Sequence, residues 1–400
     1  MTDVKSLKNH EQATRLTGRL ATLPGERLEE VSSWGKATRG MSYVYRPSTV
    51  EALCDILALA KRSGRTAGLR GGGNSYGDAA MNNENILIDT CRLNRILEWS
   101  PATGRIRVEP GVTLAQLWQY VIEDGWWPPI ATGTSATTMG GSAAMNVHGK
   151  NAFKVGPIGD HIIEFDLMLV SGEVITCSRE ENGDVFHAAI GGFGMLGIFI
   201  SLTLQMKRIY SGLLDVETAS RSDLGDMFAY FHEYAADSDY IVGWIDSLAV
   251  GKSVGRGDVH RADYLSRGDD PNPAQTLRPE NQHLGPNLFG FVPRSIVWLF
   301  MRPMFSNLGV QFVNQGKYLA GSLGGVKKYR QPHAQFHFLL DYVPDWKKAY
   351  GPGGLIQYQP FIPKETALDA FSEILTLCKR RGLPNYLTVL KRHRPDKFLM

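Results

Sequence analysis

Residues 69–78 read LRGGGNSYGD. Three consecutive glycines let a backbone approach a ligand closely or adopt dihedrals that a side chain forbids. A phosphate cradle is the first reading, and the flanking residues decide which kind. Gly72 and Gly77 have the spacing of a Walker A loop, but Asp78-Ala79 follows, so the phosphate-binding lysine and the magnesium-binding hydroxyl are both missing. The dinucleotide fingerprint G-x-G-x-x-G fails as well, because Tyr76 stands five positions after Gly71. That fingerprint does occur at Gly192-Phe193-Gly194-Met195-Leu196-Gly197, between a helix-like segment (183–190) and a strand-like one (198–209). A Rossmann loop runs the other way, from strand to helix, so that the helix N-terminus faces the pyrophosphate. A nicotinamide site is therefore rejected.

Three glycine-rich segments remain within 130 residues: 70–78, 128–151 (PPIATGTSATTMGGSAAMNVHGKN) and 191–198 (GGFGMLGI). Converging loops of this kind bind a pyrophosphate through backbone N–H groups without a lysine or a metal. The plain alternative, three unrelated tight turns, suits one segment better than three. Around them, 41–47, 66–71, 85–90, 105–110, 162–170 and 198–209 read as strands. Ser171-Gly172 is the turn of a hairpin into 173–178. A helix follows residue 48, with Ser48 as N-cap, Glu51 closing a capping box and Gly64 just beyond its end. A second amphipathic helix spans 113–125.

After about residue 206 the texture changes. Residues 251–290, rich in Gly, Asp, Pro and Asn, read as long loops. Residues 335–343, 354–362 and 386–392 read as strands of another sheet, with a helix at 365–382. The expected division is 1–205 and 206–400.

The chain is 43% hydrophobic and 21% charged, which suits a globular protein with a sizeable core. A net charge of +3 is too small for a nucleic-acid-binding face. Cys54, Cys91, Cys177 and Cys378 are scattered without a CxxC pair, so reduced thiols are expected. The polar N-terminus lacks an apolar signal core, and no run approaches a spanning helix, which points to a cytoplasmic chain. The apolar run SIVWLFM (295–301) lies between Arg294 and Arg302, so any membrane contact is expected to be peripheral. His333 and His337 have the spacing of a zinc helix, but the glutamate of HExxH is absent and the segment reads as strand, so no metal is expected.

RGGGNSYGD (70–78), LID (87–89), EPGV (109–112), TGT (132–134), TMGG (138–141) and HGKN (148–151) occur in this order. Together they resemble the FAD-binding domain of the vanillyl-alcohol oxidase / p-cresol methylhydroxylase superfamily. With AYGPGGLIQYQ (349–359), the chain is most similar to the decaprenylphosphoryl-ribose 2-oxidase family, over about 30–400. The resemblance implies an α+β fold: a two-subdomain FAD-binding domain of PCMH type, then a substrate domain with an antiparallel sheet and helices. It also implies FAD. Arg70, Gly71, Gly72, Gly73, Asn74, Ser75, Tyr76, Gly77, Asp78, Gly133, Thr138, Met139, Gly140, Gly141, His148, Gly149, Lys150, Asn151 and Ile198 match flavin-contacting positions. Gln357, Gln359 and Lys391 match substrate positions, and His337 stands where the family usually has tyrosine. Family members oxidise the 2-hydroxyl of a lipid-linked ribose to a ketone, and a partner keto-reductase completes the epimerisation.

Two departures stand out. Asn74 occupies the position at which many relatives carry a histidine bonded covalently to the flavin, so dissociable FAD is expected. The family pattern also continues past the point matching Met400, with a segment that returns to the flavin domain and carries another lysine.

Alcohol oxidation needs a proton acceptor for the hydroxyl, and neutral imidazole serves near pH 7. His148 is the leading candidate, with a structural histidine as its bland alternative. Lys150 and Asn151 hold either phosphate or their own loop. Tyr76 stacks on a ligand or simply packs its loop. Gln357 and Gln359, two apart on an expected strand, would share one face and suit sugar hydroxyls. Lys391 either meets a phosphate or polarises the reacting hydroxyl, or is solvated within the cluster 391–394. Competing readings are an oxidase of a soluble polyol or aldonolactone, and a catalytically silent flavin-binding protein.

Overall fold

The computed structural model describes residues 20–288, 291–383 and 385–399. The polar N-terminal segment lies outside them. Sheets in the first half are built from short strands. β1 (Leu28–Ser32), β2 (Arg39–Tyr45), β3 (Ala67–Arg70) and β4 (Ile86–Asp89) form one sheet in the order β1–β2–β4–β3. Its only antiparallel pair is β1 with β2, and β4 runs parallel to both β2 and β3. The crossover is helix α1 (Val50–Ser63), which lays Leu53, Ile56 and Ala60 on Ile86 and Ile88. Its cap is Thr49, not Ser48: the Thr49 hydroxyl accepts from Ala52 N at 3.2 Å, which moves the helix start one residue on. Gly64 ends it with φ 64°, a left-handed conformation that glycine adopts without steric cost.

A second, wholly antiparallel sheet follows. It comprises β5 (Ile96–Ser100), β6 (Arg105–Val108), β7 (Ile162–Met168), β8 (Val174–Ser178) and β9 (Ile198–Gln205), ordered β5–β6–β9–β7–β8. β7 and β8 are the expected hairpin, with Gly172 at φ 91°. The expected strand 198–209 stops at Gln205, and Lys207–Arg208 pair instead with Trp126–Trp127. Helix α2 (Leu114–Val121) begins with a full capping box between Thr113 and Gln116 and buries Leu117, Trp118 and Val121. Helix α3 (Met139–Ala144) and helix α4 (Gly183–Ala189) also lie in this half, with a single helical turn at Ala152–Val155 between them. The Gly192–Gly197 turn indeed lies between a helix, α4, and a strand, β9.

The second half holds a five-stranded antiparallel sheet. Its strands are β10 (Leu213–Arg221), β11 (Tyr240–Ile245), β12 (Gly257–Tyr264), β13 (Lys327–Pro332) and β14 (Thr388–Leu390), ordered β13–β10–β12–β11–β14. Three expectations fail here. Residues 257–264 are not loop but the central strand, β12. The polar alternation of DVHRADY hid it, and its charges are satisfied across the sheet, as in Arg261 with Glu217 at 3.1 Å. Residues 335–343 are not strand. Pro332 has no N–H to continue the ladder of β13, and the chain turns into helix His333–His337 and a 3-10 turn, Leu339–Tyr342. Residues 354–362 are extended but join no sheet; their one bridge is Leu355 to Lys36.

Helix α5 (Leu224–Tyr234) and helix α8 (Ala367–Arg380) pack on the five-stranded sheet through Met227, Phe231 and Leu375. Between β12 and β13 the chain forms helix α6 (Val297–Met301) and helix α7 (Asn307–Leu323). The four cysteines are free.

The Thr113 cap also sits on an isolated bridge to Thr138, so it fixes both α2 and the segment leading into α3. Thr113→Ala is expected to lower stability by about 1 kcal/mol, the usual cost of an N-cap hydroxyl. Urea unfolding followed by tryptophan fluorescence measures it.

Candidate active site

The three glycine-rich segments converge. A Cβ at Gly71 would lie 2.1 Å from the Thr138 hydroxyl, and one at Gly72 would lie 2.6 Å from the Ala136 carbonyl. A Cβ at Gly140 would strike Pro110 at 2.6 Å. Gly191 N donates to Ala143 O at 3.0 Å and Phe193 N to Ala144 O at 2.9 Å, which docks the third segment on the C-terminal end of α3. Glycine is required at positions 71, 72 and 140 because a Cβ would strike the Thr138 side chain, the Ala136 carbonyl or the Pro110 ring.

None of the backbone N–H groups of residues 72–78 donates to another group among the described residues. A run of free amides, with Gly73 left-handed at φ 62°, is the nest geometry that takes phosphate oxygens. Asn74 donates Nδ2 to Ala136 O at 3.0 Å, while its Oδ1 is buried without a partner. The cradle therefore fits a pyrophosphate-bearing cofactor. Arg70 is not aimed into it: the guanidinium lies under Gly73 and bonds Ala80 O at 2.9 Å and Ser32 O at 3.3 Å, so it braces the loop. Ser75 is held through its carbonyl by Trp34 N at 2.9 Å, and Asp78 is exposed. Ile198 is a buried residue of the α1 core, at the start of β9.

The segment 349–361 crosses from this cradle to His148. Tyr350 and Tyr76 share a hydroxyl contact of 3.0 Å, and Leu355 N donates to Gly35 O at 2.8 Å. Further along, Gln357 donates to Gln359 Oε1 at 2.8 Å, and Gln359 Nε2 lies 2.7 Å from His148 Nε2. The two glutamines thus meet as expected, although on extended chain rather than on a strand. Since Gln359 Oε1 already accepts from Gln357, its amide nitrogen is the donor, and His148 Nε2 is held as an acceptor. Phe361 and His393 edge the imidazole at ring separations of 5.9 and 4.2 Å.

Burial, then the nearby Lys391 and His393, lowers the pKa of His148 to about 2, so the ring is neutral over the working range. Burial alone lowers Lys391 to about 8. The catalytic candidates therefore fall at two ends of the line of contacts, or trough, that segment 349–361 follows, with Tyr76 at the cradle and His148 with Lys391 beside the glutamines.

Lys150 and Asn151 face inward. Asn151 Nδ2 donates to Pro129 O at 2.8 Å, and Gly149 is pinned between Asn151 and Ala131. Lys150 donates its ammonium to Phe336 O and lies 4.1 Å from the Phe336 ring. Its own carbonyl accepts from Ile241 N at 3.1 Å. These contacts hold the loop rather than a ligand. His337 is also fully interior: Nδ1 bonds His333 O at 2.8 Å and the ring packs on Trp127 and Tyr240. It is thus separated from Gln357 and Gln359, with which the sequence grouped it. His333 and His337 do lie on a helix, contrary to the strand reading. His333 Nε2 and His337 Nδ1 are, however, each taken by a backbone carbonyl.

Sequence reasoning missed Asp341. Its carboxylate binds Thr134 Oγ1 at 2.7 Å, Ser135 N at 2.8 Å and Ser135 Oγ at 2.6 Å, and Leu340 N donates to Gly133 O at 3.0 Å. The second half thereby closes the TGT loop. His393 was also missed, hidden in a basic cluster; its place beside His148 is visible only in three dimensions.

The family model described as an FAD binding domain matches residues 41–178, which contain the cradle and His148. The decaprenylphosphoryl-beta-D-ribose oxidase of Mycolicibacterium smegmatis is 28% identical over 92% of this chain and 78% of its own length. The L-gulonolactone oxidase of Mus musculus is 28% identical over 53% of this chain and 47% of that protein. The D-arabinono-1,4-lactone oxidase of Yarrowia lipolytica is 28% identical over 42% and 33%.

Burial, followed by the charge of Lys391, lowers the pKa of Lys150 to about 7, below the ordinary lysine value of 10.5. Between those values the unfolded chain carries a proton that the folded chain lacks, so stability rises with pH across that window. The melting temperature of the cofactor-free protein is expected to rise from pH 7 to pH 9, and Lys150→Met to rise less. Calorimetry at both pH values checks this.

Proposed function

Because the chain is an FAD-dependent oxidoreductase built on a PCMH-type FAD-binding domain, we propose that it oxidises the 2-hydroxyl of a polyprenyl-phosphoryl ribose to the 2-keto sugar. The observation that carries this reading is the chain Gln357–Gln359–His148, two amides and a neutral imidazole in one line at the side of the trough. Amides arranged in this way suit the vicinal hydroxyls of a sugar. The 78% of the mycobacterial ribose oxidase that this chain covers supports the same substrate class.

Bound FAD supplies the acceptor for the hydride of the carbinol carbon. The amides of residues 72–78 would hold its pyrophosphate, with Thr138–Gly141 and Gly191–Gly194 as the facing walls. Gln359 keeps His148 Nε2 available as an acceptor. A substrate hydroxyl that takes the place of the Gln359 amide therefore donates a hydrogen bond to Nε2. Its proton passes to that nitrogen as the hydride leaves the carbinol carbon, when the hydroxyl becomes acidic enough for a weak base to take it. Lys391, next to that imidazole, stabilises negative charge developing on the same oxygen. Asn74 offers no nucleophile to the flavin, so the cofactor is held by contacts alone. A separate keto-reductase would then act on the product.

A soluble aldonolactone is the second reading, favoured by lactone oxidases among the relatives. Anaerobic addition of a polyprenyl-phosphoryl ribose is expected to bleach the yellow spectrum, and L-gulonolactone to leave it unchanged. The reverse result overturns the proposal in favour of the lactone. His148→Ala is expected to retain FAD and slow bleaching by roughly 100-fold or more. Acid precipitation is expected to release all flavin to the supernatant; flavin fluorescence on the denatured band would show a covalent link instead.

A further inference from the structure

Helix α7 is amphipathic the wrong way round. At about 100° per residue, Val310, Asn314, Lys317 and Gly321 share one face, and that face meets the protein. Asn314 Nδ2 bonds Asp246 at 3.0 Å, and Lys317 rests 3.8 Å from the Trp244 ring. A Cβ on Gly321 would strike Ser220 and Asp258. The opposite face carries Leu308, Phe312, Leu319 and Leu323. Leu308, Phe312 and Leu323 are 81%, 76% and 80% exposed. A helix covering a soluble core shows the reverse, with polar residues outward. Phe300 of the neighbouring α6 is also 63% exposed.

The segment that carries this stripe has charge of one sign in sequence. Residues 281–340 contain six basic side chains, Arg294, Arg302, Lys317, Lys327, Lys328 and Arg330, and not one Asp or Glu. Lys328 and Arg330 pair with Glu217 and Asp215, and Arg294 bonds the carbonyls of Asp341 and Tyr342. Arg302, Lys317 and Lys327 have no ion-pair partner among the described residues. No single helix is long and apolar enough to cross a membrane, and segments 294–304 and 307–323 meet at 112°. An apolar face in a basic segment, bent rather than long, is the composition of an element that lies in the interface of an anionic bilayer.

We propose that α6 and α7 dock this protein on an anionic lipid surface, with Phe300, Leu308, Phe312 and Leu323 in the acyl boundary and Arg302 and Lys327 among the headgroups. The docking face leads directly to the trough. Phe305, between the two helices, packs on Tyr350 at 5.5 Å, and Tyr350 bonds Tyr76 of the cradle. A lipid-linked sugar could then reach the trough without its tail leaving the bilayer. The docking itself does not rest on the substrate proposed above, because its readout is binding and not turnover.

The full chain with FAD is sedimented with phosphatidylcholine vesicles containing or lacking phosphatidylglycerol, at low salt and at roughly 0.5 M salt. Binding is expected only with phosphatidylglycerol and is expected to weaken with salt. Leu308→Glu/Phe312→Glu, which alters exposed positions, is expected to keep the flavin spectrum and lose at least ~10-fold in vesicle partitioning. No sedimentation with anionic vesicles, or equal binding by the variant, overturns the proposal. A dimer seen by light scattering and abolished by the same substitutions also overturns it, because the stripe would then join two copies of the chain.

Discussion

The ammonium of Lys150 is buried where the two halves of the chain meet, and much of the site depends on it. It reaches from the loop 148–151 to the carbonyl and ring of Phe336, while its own carbonyl accepts from Ile241 on β11. Burying a cation without a carboxylate beside it is costly, and the response is a pKa displaced to about 7. That cost is offset by what the contact fixes. His148, two residues earlier, is held on the trough wall, and helix His333–His337 is held under it. Asp341 makes the matching tie at Thr134 and Ser135.

Once the halves are joined in this way, the electrostatics of the trough follow. His148 and His393 lie beside Lys391, all partly desolvated, so each resists protonation. A neutral imidazole beside a cationic amine orients a substrate hydroxyl: the ring accepts its hydrogen bond, and the amine stabilises negative charge developing on the oxygen. The glutamine chain sets which nitrogen accepts. Neither amide is buried, so a sugar can replace their mutual hydrogen bonds at little cost.

The legible parts were those governed by local chemistry. The triple glycine, Gly64 beyond α1, the β7–β8 turn and the helix-to-strand context of Gly192–Gly197 are all determined by what neighbouring residues allow. The capping register was misread by one residue because Ser48 and Thr49 are both good caps, and only the bond to Ala52 distinguishes them. The misread strands share another cause. QFHFLLDYV is as apolar as a strand, but Pro332 withholds the N–H that would continue a ladder. DVHRADY looks like loop, yet it gains two strand partners and an ion pair to Glu217. Its stability comes from residues far away in the chain.

The sequence alone pointed to a cradle built from glycine-rich backbone and to neither a Walker nor a Rossmann site, while His148, Gln357 and Gln359 were grouped only through the family resemblance. The loop readings need only residue types and short spacings, because glycine dihedrals are local properties, whereas His148 and Gln359 are 211 residues apart and meet only in the folded chain. The tertiary structure decided the roles. Arg70, Lys150 and Asn151 turned from ligand contacts into braces, and His337 went from the pocket to the interior. Asp341, His393 and Tyr350 joined the trough from distant segments. Which way a side chain points depends on what packs behind it, and here that packing comes from segments 10 to 274 residues away.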